Sequence, residues 1–180
     1  MVKPKNVLIG VCGGIAAYKT CSLVRVCVKN GYQVKVMMTD AATKFVTPLT
    51  FQTLSNNPVY LDMFVLAKVE KPQHIALADW ADIVVVAPAT ANTLSKIARG
   101  VCDNLVTTVI CALPKTTKVI FAPAMNEKMW KNPFIQENIK ILKQIKNYQL
   151  LATVKGELAC GVYGDGRMME PKAIFAAAIK

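Results

Sequence analysis

Two short stretches of this chain are almost wholly apolar: Ile83 to Ala87, and Lys118 to Ala122 after its leading lysine. Each runs straight into a proline. Runs of this length, rich in β-branched residues and bounded by proline, predict strands covered on both faces, as in a parallel sheet between helical layers. The residues just beyond each strand are equally informative. Pro88-Ala89-Thr90-Ala91-Asn92-Thr93 leads into a helix through Ala98, and Pro123-Ala124-Met125-Asn126-Glu127-Lys128-Met129-Trp130 offers an amide side chain and open backbone groups. In an open α/β sheet ligands bind outside the carboxyl ends of the strands, so both segments are candidate ligand sites.

The rest of the chain fits that frame. Asn6 to Val11 reads as a first strand, Cys12-Gly13-Gly14 as a tight turn, and Ile15 to Asn30 as a helix stopped by Gly31. Gln33 to Met38 is a second strand, and Thr39-Asp40 caps a helix starting near Ala41. Thr47-Pro48 opens a short helix through Leu54 in cap-then-proline order. Leu105 to Leu113 reads as a helix by context despite its β-branched content. A helix over Pro133 to Ile145, a last strand over Leu150 to Val154, a loop over Gly156 to Arg167 and a terminal helix from Pro171 complete the expectation. The span from Ser55 to Gln73 yields no clear element beyond a turn at Asn56-Asn57-Pro58. Strands alternating with helices imply right-handed βαβ units and one doubly wound α/β domain over residues 1–180.

Composition narrows the class. With 53% hydrophobic and 18% charged residues, the chain has much apolar surface to hide, in a doubly covered sheet and against other subunits. No apolar run is long enough to cross a bilayer, and Met1-Val2-Lys3-Pro4-Lys5 lacks a signal-peptide pattern, so the expectation is a cytoplasmic protein without a membrane partner. The net charge of +11 comes from scattered residues such as Lys29, Lys68, Lys115 and Lys143. Without a dense basic run or an aromatic-basic surface motif, small anions are expected and nucleic acid is not. The six cysteines show no framework spacing and no Cys-x-x-Cys, and His74 is the sole histidine, so no metal site is expected.

Four strand ends carry small or hydroxyl residues: Cys12-Gly13-Gly14, Thr39-Asp40, Thr90 to Thr93, and Ala124-Met125-Asn126. Glycines let backbone approach a ligand, and the helix N-termini just beyond favour a phosphate. The pattern Gly10-x-x-Gly13-Gly14 is not the dinucleotide fingerprint, and no acid closes the second strand itself. A phosphorylated flat mononucleotide such as FMN fits better than NAD or FAD. His74 and Cys160, the latter in a glycine-rich stretch, are open between structural and chemical roles on composition alone.

Together these segments resemble the homo-oligomeric flavin-containing cysteine decarboxylases. The carriers are Gly13 to Lys19, His74-Ile75 with Trp80-Ala81-Asp82, Pro88 to Thr93, Cys102-Asp103-Asn104-Leu105, Pro123 to Trp130, and Ala159-Cys160-Gly161 with Gly166-Arg167-Met168. The resemblance implies a flavodoxin-like, Rossmann-like subunit that binds FMN non-covalently at a subunit interface of a trimer or dodecamer. It implies FMN contacts at Gly13, Gly14, Ile15, Thr39, Asp40, Ala41, Thr90, Ala91, Asn92, Thr93 and Ala124. It implies His74 as the active-site histidine, Asn126 with Met125 as substrate ligands, and Cys160 as proton donor on a flap.

The implied reaction is FMN-dependent decarboxylation of 4'-phospho-N-pantothenoylcysteine to 4'-phosphopantetheine in coenzyme A biosynthesis. Oxidising the CH2–S bond to a thioaldehyde first creates an electron sink for the carboxylate's electrons; hydride return and a proton from Cys160 complete the product. Cys12 stands where such proteins often carry serine, which predicts weaker flavin retention. Two alternatives stand beside this reading. One is a peptidyl-cysteine decarboxylase of lantibiotic maturation, which needs no reducing cysteine. The other is a non-catalytic flavin-binding regulatory protein.

Overall fold

The computed structural model describes residues 5–64, 71–157, 161 and 163–179. In chain order the elements are β1 (Asn6–Val11), α1 (Ala17–Lys29), β2 (Gln33–Met38), α2 (Asp40–Thr43), α3 (Pro48–Ser55), β3 (Val59–Tyr60), α4 (Gln73–Trp80) and β4 (Ile83–Ala89). Next come α5 (Ala91–Ala98), α6 (Leu105–Cys111), β5 (Lys118–Pro123), α7 (Glu127–Trp130), α8 (Pro133–Lys143) and β6 (Tyr148–Leu150). The chain then forms β7 (Val154–Glu157), β8 (Tyr163–Arg167) and α9 (Pro171–Ile179).

Six strands pair in the order β3-β2-β1-β4-β5-β6, and every neighbour is parallel. This is the doubly wound α/β fold expected from the sequence. Every residue of β4 is buried, which explains why Ile83 to Ala87 carries no polar side chain. Its alternate residues serve two cores, as the two-residue period of a strand demands. Ile83, Val85 and Ala87 join Val7, Ile9 and Ile120 against Leu23 of α1, Phe51 of α3 and Ile174 of α9. Val84 and Val86 join Leu8 and Phe121 against Leu77 of α4, Leu94 of α5, Val106 of α6 and Leu142 of α8. Each such side chain contributes about 1.5–3 kcal/mol by leaving water, which offsets the weak local helix preference of the Val- and Thr-rich α6.

Chain direction across the sheet reverses between β1 and β4. Val7 pairs with Ile83 while β1 also pairs with β2 on its other side, Asn6 facing Gln33. Their carboxyl ends therefore diverge into helices on opposite faces and leave a crevice, the topological switch point of such sheets.

Several boundaries differ from expectation, with local causes. The first helix begins at Ala17 because Gly14 to Ala17 forms a turn, closed by Ala17 N–H donating to the Gly14 carbonyl at 2.9 Å. Gly31 ends it as expected, with φ of +80°. The helix from Leu105 stops at Cys111, short of Pro114, and the helix from Pro133 stops at Lys143. The strand expected over Leu150 to Val154 is two pieces. β6 closes the parallel sheet at Leu150, and Val154 starts β7, which pairs antiparallel with β8. The stretch over Gly156 to Arg167, expected as a loop, thus contains most of a separate two-stranded hairpin.

Candidate functional site

A cavity of about 1070 Å3 opens at the switch point, at or above the ~300–1,000 Å3 usual for small-molecule sites. All four strand-end segments meet there. The lining includes Gly13, Gly14 and Ile15, then Thr39, Asp40 and Ala41, then Thr90 to Thr93, then Ala124, Met125 and Asn126.

Each segment is held by a specific contact. At the end of β1, Gly13 lies so close to α2 that a Cβ on it would sit 2.4 Å from the Ala41 Cβ and 2.8 Å from the Ala41 carbonyl carbon. Only glycine lets these two turns touch. Thr39 continues β2 into this contact: its N–H donates to the Val11 carbonyl at 3.0 Å, and its hydroxyl caps α2 by accepting from Ala42 N–H at 3.2 Å. Thr90 caps α5, accepting from Thr93 N–H at 3.3 Å while its hydroxyl donates to Thr93 Oγ1 at 3.2 Å. The end of β4 contains a cis Ala87–Pro88 peptide. The buried Thr20 hydroxyl of α1 donates to the Ala87 carbonyl at 2.7 Å and ties that helix to the strand.

On the far side, Ala124 N–H donates to the Ala89 carbonyl at 3.1 Å, carrying the β5 exit across to β4. Met125 N–H donates to the Gly166 carbonyl at 3.0 Å. Gly166 has φ of +128°, and a Cβ there would lie 2.1 Å from the Met125 carbonyl oxygen. This seats the β7–β8 hairpin against the strand-end motif. Glu127 reinforces the seat. Its Oε1 accepts from Asp165 N–H at 3.5 Å and pairs with Lys131 at 2.8 Å, and these interactions, Lys131 first, hold its carboxyl below the ordinary range. Asn126 caps α7, its Oδ1 accepting from Lys128 N–H at 2.8 Å, which fixes the plane of the amide at the cavity wall.

The residues suit a phosphorylated flat ligand. Helix N-termini leave backbone N–H groups without intrahelical partners, and the starts of α1 and α5 converge here behind Gly13-Gly14 and Thr90. Cations at the rim are matched by acids: Lys96 pairs with Asp103 at 2.6 Å, Lys19 with Glu170 at 2.5 Å, and Arg167 approaches Glu170 at 3.9 Å. Lys96 beside Asp103 holds that carboxyl below its usual range. The cavity is thus nearly charge-balanced, and what it offers an anion is chiefly the backbone dipoles of the converging helix starts.

Not every anticipated residue is gathered here. His74, the second residue of α4, is half-buried and absent from the cavity lining. Cys160 lies outside the described residues. Cys12 is fully buried and does not line the cavity. Its thiol engages the Thr93 side chain and Thr90 backbone, and burial pushes it up to about 11. Any influence of Cys12 on a ligand therefore runs through the first turn of α5. Conversely, Lys96, Asp103, Asn104, Met129, Glu157 and Arg167 line the cavity without having been anticipated as site residues. Lys96 had one legible signal, its i+4 spacing from Asn92 on one face of α5.

Comparison with known proteins agrees with this geometry. A family model described as Flavoprotein matches residues 1–180. The probable phosphopantothenoylcysteine decarboxylase of Streptococcus mutans is 47% identical over 169 residues, covering 92% of each chain. The coenzyme A biosynthesis bifunctional protein CoaBC of Bacillus subtilis is 46% identical over 180 residues, all of this chain and 44% of that protein. The chain thus spans less than half of the bifunctional relatives it matches. Among solved structures, a PPC decarboxylase mutant complexed with pantothenoylaminoethenethiol superposes with a TM-score of 0.86 at 35% identity, covering 97% of this chain and 96% of that one. The FMN binding protein AtHal3 superposes with a TM-score of 0.82 at 35% identity, covering 97% and 95%.

Proposed function

The chain belongs to the Flavoprotein family, and from that premise we propose that residues 1–180 form an FMN-dependent decarboxylase. It converts 4'-phospho-N-pantothenoylcysteine to 4'-phosphopantetheine in coenzyme A biosynthesis. The observation that carries this reading is the convergence of the four strand-end segments on one cavity at the switch point. The likeness to relatives described as phosphopantothenoylcysteine decarboxylases supports the substrate.

When bound, FMN supplies a two-electron acceptor, which gives the carbanion from CO2 loss a conjugated sink that the protein's own side chains lack. The residues of the chain do the rest. Backbone N–H groups at Gly13, Gly14 and the start of α5 would receive the cofactor's phosphate, and Thr39, Asp40 and Ala41 would complete the wall that holds it. Asn126 orients the substrate carboxylate with a neutral amide. A lysine there would stabilise the carboxylate ground state that has to be lost. Met125 packs beside it. Cys160, three residues beyond the cavity-lining Glu157, donates the proton that completes the saturated product.

His74 completes the site from a neighbouring copy in a homo-oligomer. The large apolar side chains exposed around the mouth support this: Ile15 and Tyr18 are each 59% accessible, and Met129 is 49% accessible. We place the reaction in the cytoplasm, in keeping with the five free cysteines among the described residues. No helix among those residues is long and apolar enough to cross a membrane.

The test is incubation of purified protein with 4'-phospho-N-pantothenoylcysteine, following product mass. The expected product has lost CO2 and is fully reduced. Cys160→Ser should still release CO2 but stop at the unsaturated thiol. Unchanged 4'-phosphopantetheine formation by that variant would remove Cys160 from the mechanism, and no CO2 release by the unaltered chain would end the assignment.

A further inference from the structure

A second, smaller cavity of about 220 Å3 lies apart from the first, beside α6. Its lining includes Gly100, Cys102, Thr107 and Cys111. Both cysteines are exposed, whereas Cys12 and Cys27 are buried.

The approach of the two thiols follows from the backbone. Asn104 caps α6, accepting from Thr107 N–H at 3.1 Å, and this folds the preceding segment back along the helix. Cys102 Sγ consequently lies 3.5 Å from the Gly100 carbonyl and 4.0 Å from the Thr107 carbonyl. Thr107 stands one turn before Cys111, and a helical side chain leans back over the preceding turn. The Cys111 side chain is thereby brought toward Cys102, and the two cysteines line the same small cavity as neighbours. Partial desolvation against α6, with the adjoining Cys111 and Asp103, holds the Cys102 thiol above its ordinary value, so the reactivity of the pair rests on exposure and proximity and not on a lowered thiol.

We propose that Cys102 and Cys111 are a redox-active dithiol, a modification site that closes reversibly to an intramolecular disulfide on exposure to a peroxide. One thiol is oxidised by hydrogen peroxide to a sulfenic acid with release of water. The sulfur of the second attacks that sulfenic sulfur, displacing a second water and forming the S–S bond. In total two thiols lose two electrons and two protons to one peroxide. A metal is the weaker occupant, because no group of three or more His, Cys, Asp or Glu able to hold an ion occurs among the described residues. The segment is covalently adjacent to the main site: Asp103 follows Cys102 and pairs with Lys96 at 2.6 Å.

The sequence makes the test clean. Cleavage after Arg99 and Lys115 releases a segment, 100–115, that contains both cysteines and no other. The full chain is treated with hydrogen peroxide, quenched, alkylated with iodoacetamide, digested with trypsin and weighed. The expected segment is lighter by two hydrogen atoms and unalkylated, and it returns to the doubly alkylated mass when dithiothreitol precedes alkylation. Cys111→Ser should abolish the lighter species and leave Cys102 alkylated or oxidised singly. Double alkylation after peroxide, independent oxidation of each sulfur, a crosslink from 100–115 to another cysteine, or a metal ion copurifying with the pair would each overturn the proposal. None of these readouts depends on flavin or on decarboxylation.

Discussion

Replacing Gly13 with alanine tests whether the β1 turn must touch α2. The added Cβ would meet the Ala41 Cβ at 2.4 Å and the Ala41 carbonyl carbon and oxygen at 2.8 and 3.0 Å. These are backbone and first-carbon atoms, so no flexible side chain can swing aside, and the two turns must separate by about 1 Å to restore ordinary contact. Overpacking of this kind costs about 1–3 kcal/mol. Because both displaced turns wall the main cavity, a similar loss should fall on ligand affinity, about 5- to 150-fold. Urea unfolding of flavin-free protein measures the first quantity, and FMN titration measures the second. Gly14→Ala is the internal control, since its Cβ would find only Thr90 Cγ2 at 3.7 Å. Its stability should stay within about 0.5 kcal/mol of the parent. Equal stabilities for the parent and Gly13→Ala, or equal losses for the two variants, would refute the close-approach account.

Asn126→Asp should keep the α7 cap, since aspartate caps as well as asparagine, while placing like charge beside the substrate carboxylate. We expect normal folding and a turnover loss of about 10²-fold or more, and turnover near the parent's would remove Asn126 from carboxylate orientation. Mixing His74→Asn with Asn126→Asp subunits after co-expression should recover activity, to about one quarter of the parent's at equal subunit ratios. No recovery would argue that His74 does not act across an interface. Stability should fall at alkaline pH through Cys12. Its native thiol titrates at about 11 against an ordinary 9.0, so the unfolded chain ionises first, and the contribution is complete below pH 9 and lost as pH rises toward 11. The loss is about 3 kcal/mol, and identical alkaline slopes for the parent and Cys12→Ala in urea unfolding would contradict it.

The parallel sheet and its helical layers were written in local pattern. A strand buried on both faces has to be apolar throughout, so Ile83 to Ala87 announced itself, and capping residues such as Thr39, Thr90 and Asn104 act within three residues of their targets. The strand-end ligand segments were legible for the same reason, because the carboxyl end of a parallel strand is a place defined by sequence order. The hairpin of β7 and β8 was not legible. Tyr163-Gly164-Asp165-Gly166-Arg167 carries no alternation of apolar and polar residues, and what holds it is Gly166 against Met125 and Glu127 against Asp165. Tertiary structure alone set Cys12 behind the cavity wall, kept His74 out of the lining, joined Lys96 to Asp103 and brought Cys102 and Cys111 to one small cavity. Periodicity and caps are properties of neighbours along the chain, whereas the sharing of one cavity depends on strand order and helix placement, which are settled only when the two cores close.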